Sequence, residues 1–214
     1  MFVTVDFEIA DRLLPSICSI AIITWDNKKI VDSFFSYIKP DCEVEDFFHD
    51  RHGISDELLM NAPTLSEQWI TIYDLLENKT VFFFNPNQSL KTLIERTQVD
   101  QLNLPNMNYG SVQSICKRTW KGMKEYLLPS IEEELDISTV HHNALEDATN
   151  LGKIIYKASD HLGLDSPYDL FKEIGFSGGY IRNNKKIPYR AIKNKKKNIF
   201  ETKEWEYKRK GTTQ

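Results

Sequence analysis

The chain has 214 residues, 41% hydrophobic and 12% aromatic, enough for one globular domain with an appendage rather than two equal domains. Its longest apolar runs are strand-sized, which excludes a membrane-spanning helix, and no basic segment followed by an apolar stretch opens the chain, so no signal peptide is expected. The net charge of −4 is unevenly spread: residues 181–214 hold 12 Lys or Arg against 3 Glu, and residues 1–180 hold 15 basic against 28 acidic residues.

The first element, within MFVTVDFEIA, is a strand with two acids two residues apart. Side chains alternate along a strand, so Asp6 and Glu8 share a face, roughly 7 Å apart along the backbone, with Phe7 on the other. At an effective dielectric near 20 their repulsion is about 2–3 kcal/mol, which something has to offset. Water at a strand end, a Lys or Arg partner, a raised pKa and a bound metal ion all remain open. ICSIAIITW (17–25) and IVDSFFSYI (30–38) read as strands joined by the turn DNKK, so three consecutive strands form an antiparallel meander.

Helical patterns follow. Ser55 opens SDELL, and Thr64 with Glu67 forms a capping-box signature ahead of a helix through Leu76. TVFFFN (80–85) is a buried strand entering a turn at Asn85-Pro86-Asn87, followed by a helical LKTLIER. A short strand is expected around SVQSIC (111–116), a helix near LPSIEEEL, and a long helix from Ala144 to about Ser159. A meander followed by alternating helix and strand is an α/β fold with a mixed sheet. Cys18, Cys42 and Cys116 are odd in number and have no paired spacing, so reduced thiols in a cytoplasmic protein are expected.

The long helix carries a further acid. Asn143 with Glu146 three residues later forms a helix N-cap box, placing His142 just outside the helix and Asp147 in its second turn. Helical steps of 4, 7 and 11 from Asp147 reach Leu151, Ile154 and Ala158, the stripe expected to face the core. Asp147 is therefore either a structural anion bonded to nearby donors or a metal ligand or catalytic acid. His142 and His141 are open to ordinary packing and capping roles as well.

DFE near the start, HGIS at 52–55, APT at 62–64 and the H-x-x-x-x-D spacing from His142 to Asp147 stand in one order. In these motifs, and in the ICSI segment, residues 2–160 resemble the DnaQ-like 3′-5′ exonucleases of the DEDDh group. The resemblance implies an RNase H-like fold for residues 1–160, with 161–180 as a helical or loop extension and 181–214 as a basic tail whose order the sequence leaves open. It also implies a two-ion site for Mg²⁺ or Mn²⁺, because divalent ions offset clustered carboxylates and activate water. On that model Asp6 bridges both ions, Glu8 and Asp147 complete one coordination sphere, and His142, whose ordinary pKa lies near neutrality, takes the proton of the attacking water. The expected partner is single-stranded or 3′-ended DNA or RNA, touched near the site by Phe7, Asn85, Asn87 and Ser89.

One element of the family pattern is missing. After the fourth strand an H-N-x-x-F-D segment is expected, and FNPNQS (84–89) puts Phe84 at the histidine and Ser89 at the aspartate. Serine brings no charge, so the second ion should bind more weakly and turnover should be slow. A nuclease-fold module that binds nucleic acid or a protein partner with little or no catalysis therefore stays open as the alternative. The tail, IRNNKKIPYRAIKNKKKNIF, interleaves Lys185, Lys186, Arg190, Lys195, Lys196 and Lys197 with Tyr189 and Phe200, a composition suited to phosphate contact and base stacking. A solvated tail pairing with the acidic body, or a tail that recruits a protein partner, fits the same composition.

Overall fold

The computed structural model describes residues 1–137, 142–188 and 190–191. Strands β1 (Phe2–Ile9), β2 (Ile17–Asp26) and β3 (Lys29–Tyr37) form the expected antiparallel meander. The β2–β3 hairpin closes on Asn27 and Lys28, both at positive φ (45° and 64°), the conformation that lets a two-residue turn follow the strand twist. Helices α1 (Asp46–His52), α2 (Asp56–Met60) and α3 (Leu65–Leu76) lead to β4 (Thr80–Phe83), which runs parallel to β1. Next, α4 (Ser89–Val99) leads to β5 (Met107–Ser111), parallel to β4. Helices α5 (Val112–Thr119), α6 (Leu128–Glu134), α7 (Ala144–His161) and α8 (Pro167–Glu173) follow. Strands β6 (Phe176–Ser177), β7 (Gly179–Arg182), β8 (Lys185–Ile187) and β9 (Arg190–Ala191) come last.

The main sheet has the order β3-β2-β1-β4-β5-β7-β8, and β6 pairs with β9. Alternation along the central strands divides the core into two layers. Val3, Val5, Ile20 and Ile22 pack with Leu65, Trp69 and Ile72 of α3, whereas Phe2, Ala21 and Ile23 pack with Ala148, Leu151 and Ile154 of α7. Helix α7 lies close on its layer because residue 152 is glycine: a Cβ there would fall 2.1 Å from Trp25 Cε2. The same indole donates from Nε1 to Thr4 Oγ1 at 2.9 Å, fixing α7 over the strand face that continues into Asp6 and Glu8. No helix among the described residues is long and apolar enough to cross a membrane.

Two expectations are corrected. SVQSIC is not a strand: β5 ends at Ser111, whose side chain accepts from Ser114 N–H and so opens α5. Helical spacing then buries Val112, Ile115 and Cys116 together on one face. Helix α1 has no counterpart among the sequence-predicted elements. The division between residues 180 and 181 falls inside β7, so the tail as far as Ile187 belongs to the main sheet.

Candidate active site

Asp6 and Glu8 lie near the C-terminal end of β1 on the α7 side, continuing the face of Phe2 and Thr4. The third carboxylate comes from α7. Asn143 caps that helix, its Oδ1 accepting from Leu145 N at 3.1 Å and Glu146 N at 3.2 Å. The cap fixes where the helix begins and thus which face Asp147 occupies, one turn above Leu151 and buried beside the sheet. His142 immediately precedes the cap at φ 61°, a left-handed conformation that turns the chain into the helix. Glu8, His142 and Asp147 each bring a ligand atom within 4.8 Å of the other two. Asp6 is outside that set, although its charge and those of Glu8 and Asp147 act on one another.

All three acids have raised pKa values. Burial is the largest cause for Asp6, reinforced by Asp147 and Glu8, and its carboxyl titrates well above the ordinary range. Glu8 is raised by burial, against a lowering by Arg51. Asp147 is pushed up to about 8 by burial, then by Glu132 and Glu8, with Arg51 again opposing. Asp147 is 7% exposed, and its Oδ1 has no hydrogen-bond partner among the described residues. A buried, unsatisfied carboxylate oxygen facing a second carboxylate and an imidazole is a costly arrangement for folding alone. The carboxylates of Glu8 and Asp147 at this spacing are hard oxygen donors that fit a divalent ion such as Mg²⁺ or Mn²⁺, with the imidazole beside them.

Arg51, on α1, reaches this cluster: its Nε donates to His142 Nδ1 at 3.2 Å. The adjoining HGIS segment builds the turn that carries it. Gly53 ends α1 at φ 65° and donates to His49 O, His52 Nδ1 accepts from Ile54 N at 3.1 Å, and Ser55 Oγ accepts from Leu58 N to start α2. His52 Nε2 lies 3.5 Å from the buried Cys18 Sγ, and burial lowers the His52 pKa.

The remaining expected contacts are dispersed. β4 runs parallel to β1 with Thr4 opposite Phe82, so the turn after β4 leaves the sheet at the end where the acids sit. In that turn Asn85 Oδ1 accepts from Asn87 N at 3.2 Å, Asn87 is exposed, and Ser89 is the partly buried first residue of α4. Phe7 points to the opposite layer, against the α3 side of the core. Lys185 and Lys186 lie in β8, four strands from β1 and thus about 19 Å away across the sheet. Arg190 is in β9, and Lys195, Lys196, Lys197, His141, Tyr189 and Phe200 lie outside the described residues.

Comparison with known proteins bears on the same residues. The family model RNase_T, described as exonuclease, matches residues 4–155, from β1 into α7. The chain belongs to this exonuclease family. The PolC-type DNA polymerase III of Caldanaerobacter subterraneus subsp. tengcongensis is 23% identical over 164 residues, 75% of this chain but 12% of the polymerase. The 3′-5′ exonuclease DinG of Staphylococcus epidermidis is 25% identical over 176 residues, 79% of this chain and 20% of DinG. The chain thus spans a fifth or less of these relatives. Solved structures share its fold, among them two nucleases. Exonuclease X in complex with 5′ overhanging duplex DNA has a TM-score of 0.66 at 16% identity, covering 82% of this chain and all of that one. The nuclease domain of 3′hExo, a DEDDh family member bound to rAMP, has a TM-score of 0.66 at 18% identity, covering 74% and 91%. The mixed sheet is accordingly the RNase H-like sheet of these exonucleases.

Two residues that act on the candidate site escaped sequence reasoning. Arg51 sits in a helix without a side-chain N-cap bond, so no local signal announced its carrier. Glu132, buried in α6 and coupled to Asp147, stands in a run of glutamates that reads as a solvated face. The available signal was its place between Leu128 and Leu135, four residues after one and three before the other, on the apolar side of the helix.

Proposed function

We propose that the chain is a divalent-metal-dependent 3′-5′ exonuclease that hydrolyses the terminal phosphodiester bond of single-stranded or 3′-ended DNA or RNA. The observation that carries this is the convergence of Glu8, His142 and Asp147 within 4.8 Å, beside Asp6, in a chain of the exonuclease family. When bound, Mg²⁺ or Mn²⁺ would supply positive charge beside the scissile phosphate and make a nearby water more acidic. Glu8 and Asp147 would hold one ion, and Asp6, on the same strand face, would join it and a second. His142 takes the proton of the attacking water. Because arginine only donates, the Nδ1 that receives Arg51 Nε is the ring nitrogen carrying a lone pair, and it is the atom that would accept this proton when released from Arg51. Asn85, Asn87 and Ser89 line the approach next to β1, and Lys185 and Lys186 contact the strand further from its end.

A second function, binding nucleic acid or a protein partner through the basic tail with little turnover, is favoured by the neutral Ser89 where the resemblance expects an acid. Incubating the chain with a 5′-labelled single strand of DNA or RNA in EDTA, Mg²⁺ or Mn²⁺ separates the two. Shortening that requires the metal supports the exonuclease; retention of intact strand at every metal concentration, with binding preserved, supports the module.

A further inference from the structure

Helix α6 carries three consecutive glutamates. Glu133 and Glu134 are exposed, but Glu132 is fully buried. Asn150 Nδ2 donates to Glu132 Oε1 at 2.9 Å, and Lys153 Nζ donates to Asn150 Oδ1 at 2.8 Å. With its oxygen taken by an ammonium group, the Asn150 amide presents its N–H end to Glu132, whose Oε1 is held as an acceptor, an arrangement that accommodates an ionised carboxylate. Asn150 lies one helical turn after Asp147 on the buried face of α7, so the bond places Glu132 behind the site. Among the charges acting on Asp147, Glu132 ranks ahead of Glu8, and it acts on Asp6 as well.

We propose that Glu132 supplies the fourth negative charge of the metal site, in place of the acid expected at position 89, as a positioning residue behind Asp147 held by Asn150 and Lys153. This rests on the metal-dependent function proposed above. Asp6, Glu8, Asp147 and Glu132 together balance two divalent cations, whereas the first three alone fall one charge short. Glu132 is outside the set of ligand atoms formed by Glu8, His142 and Asp147, so its effect is exerted through the field at the site and through Asp147. The buried anion then has a purpose that packing alone does not give it, because an apolar side chain of similar size would fill α6 without the desolvation cost.

The test is a titration of the full chain with Mn²⁺, followed by thermal unfolding and by calorimetric binding, in the parent, Glu132→Gln, Asp147→Asn and the double variant Glu132→Gln/Ser89→Asp. Glutamine keeps the size and an oxygen for Asn150 to bond. Glu132→Gln should weaken Mn²⁺ binding about 10–100-fold while leaving metal-free melting unchanged or higher. Adding Ser89→Asp should recover most of that loss, because the fourth charge returns from the other side of the site. Asn150→Ser, which releases the carboxylate, should shift the Mn²⁺ midpoint in the same direction as Glu132→Gln and serves in its place should that variant not fold. Equal Mn²⁺ midpoints in parent and Glu132→Gln, or in parent and Asn150→Ser, with binding lost in Asp147→Asn, would overturn the role of Glu132 and leave the metal site standing. A parent that binds no Mn²⁺, or an Asp147→Asn variant that binds it as well as the parent, would overturn both.

Discussion

Replacing Asp147 by asparagine separates the cost of its buried charge from the use of that charge. In the metal-free protein the Asp147 carboxyl is moved from the ordinary 3.8 to about 8, mainly by burial and then by Glu132 and Glu8. A folded-state pKa above the unfolded one gives stability that is complete below the ordinary carboxylate range and is lost as pH rises through about 8, where the folded chain has to release a proton it holds tightly. The separation of roughly 4 units corresponds to about 5 kcal/mol at pH 8 and above, and to about 4 kcal/mol at pH 7. Asparagine removes that pH-dependent loss but keeps a buried polar group, which returns about 1–3 kcal/mol. At pH 8 in EDTA the variant should therefore be more stable by about 2–4 kcal/mol, or roughly 4–16 °C for a chain of this size. At pH 4, where little of that loss has set in, the advantage should vanish or change sign. Mn²⁺ at about 1,000 times its dissociation constant should cancel or reverse that difference, since it stabilises the parent by about 4.1 kcal/mol and the variant by much less. Thermal unfolding followed by circular dichroism at both pH values, with EDTA or Mn²⁺, provides the four comparisons. A variant less stable than the parent at pH 8 in EDTA, with an undiminished response to Mn²⁺, would refute the reasoning.

Further outcomes follow from other residues of the site and tail. His142→Ala should reduce turnover about 10²- to 10⁴-fold while strand binding, read by fluorescence anisotropy, stays near that of the parent; an unchanged rate would assign the histidine to structure. Ser89→Asp alone should raise the melting temperature more in Mg²⁺ than the parent's rise and increase turnover at low Mg²⁺, and no difference in either would place Ser89 away from the ions. Because β7 and β8 belong to the sheet, the tail is best removed from residue 192 onward. That deletion should weaken nucleic-acid binding and flatten its dependence on salt, and identical salt slopes would mean that the tail binds something else.

Periodicity made much of this fold legible. Alternation gave the meander and the shared face of Asp6 and Glu8, and the step from Asp147 to Leu151, Ile154 and Ala158 gave the buried face of α7. Local chemistry failed where two signals overlapped. The β-branched and apolar residues of SVQSIC suit a strand, but Ser111 is an N-cap, and a cap within one residue of a strand end outranks propensity. Helix α1 is short and amphipathic only weakly, with Phe47 exposed and Phe48 buried, so it depends on the fold around it rather than on its own sequence. Arg51 and Glu132 reach the site from 91 residues before His142 and from another helix, respectively, and such convergence has no local signature. By composition the lysines of β8 read as part of a basic tail separate from the body, but they lie in the main sheet, at its far edge.

The most direct measurement uses a short 5′-labelled single strand in linear form and the same strand closed into a circle, each incubated with Mn²⁺ and the parent chain or Asp147→Asn. A ladder of products that keep the 5′ label should form from the linear strand with the parent. The circle, which has no 3′ end, should stay intact, and Asp147→Asn should leave both substrates whole. Cleavage of the circle, a linear strand that survives the parent, or a ladder undiminished in Asp147→Asn would contradict the assignment of metal-dependent 3′-end hydrolysis to this site.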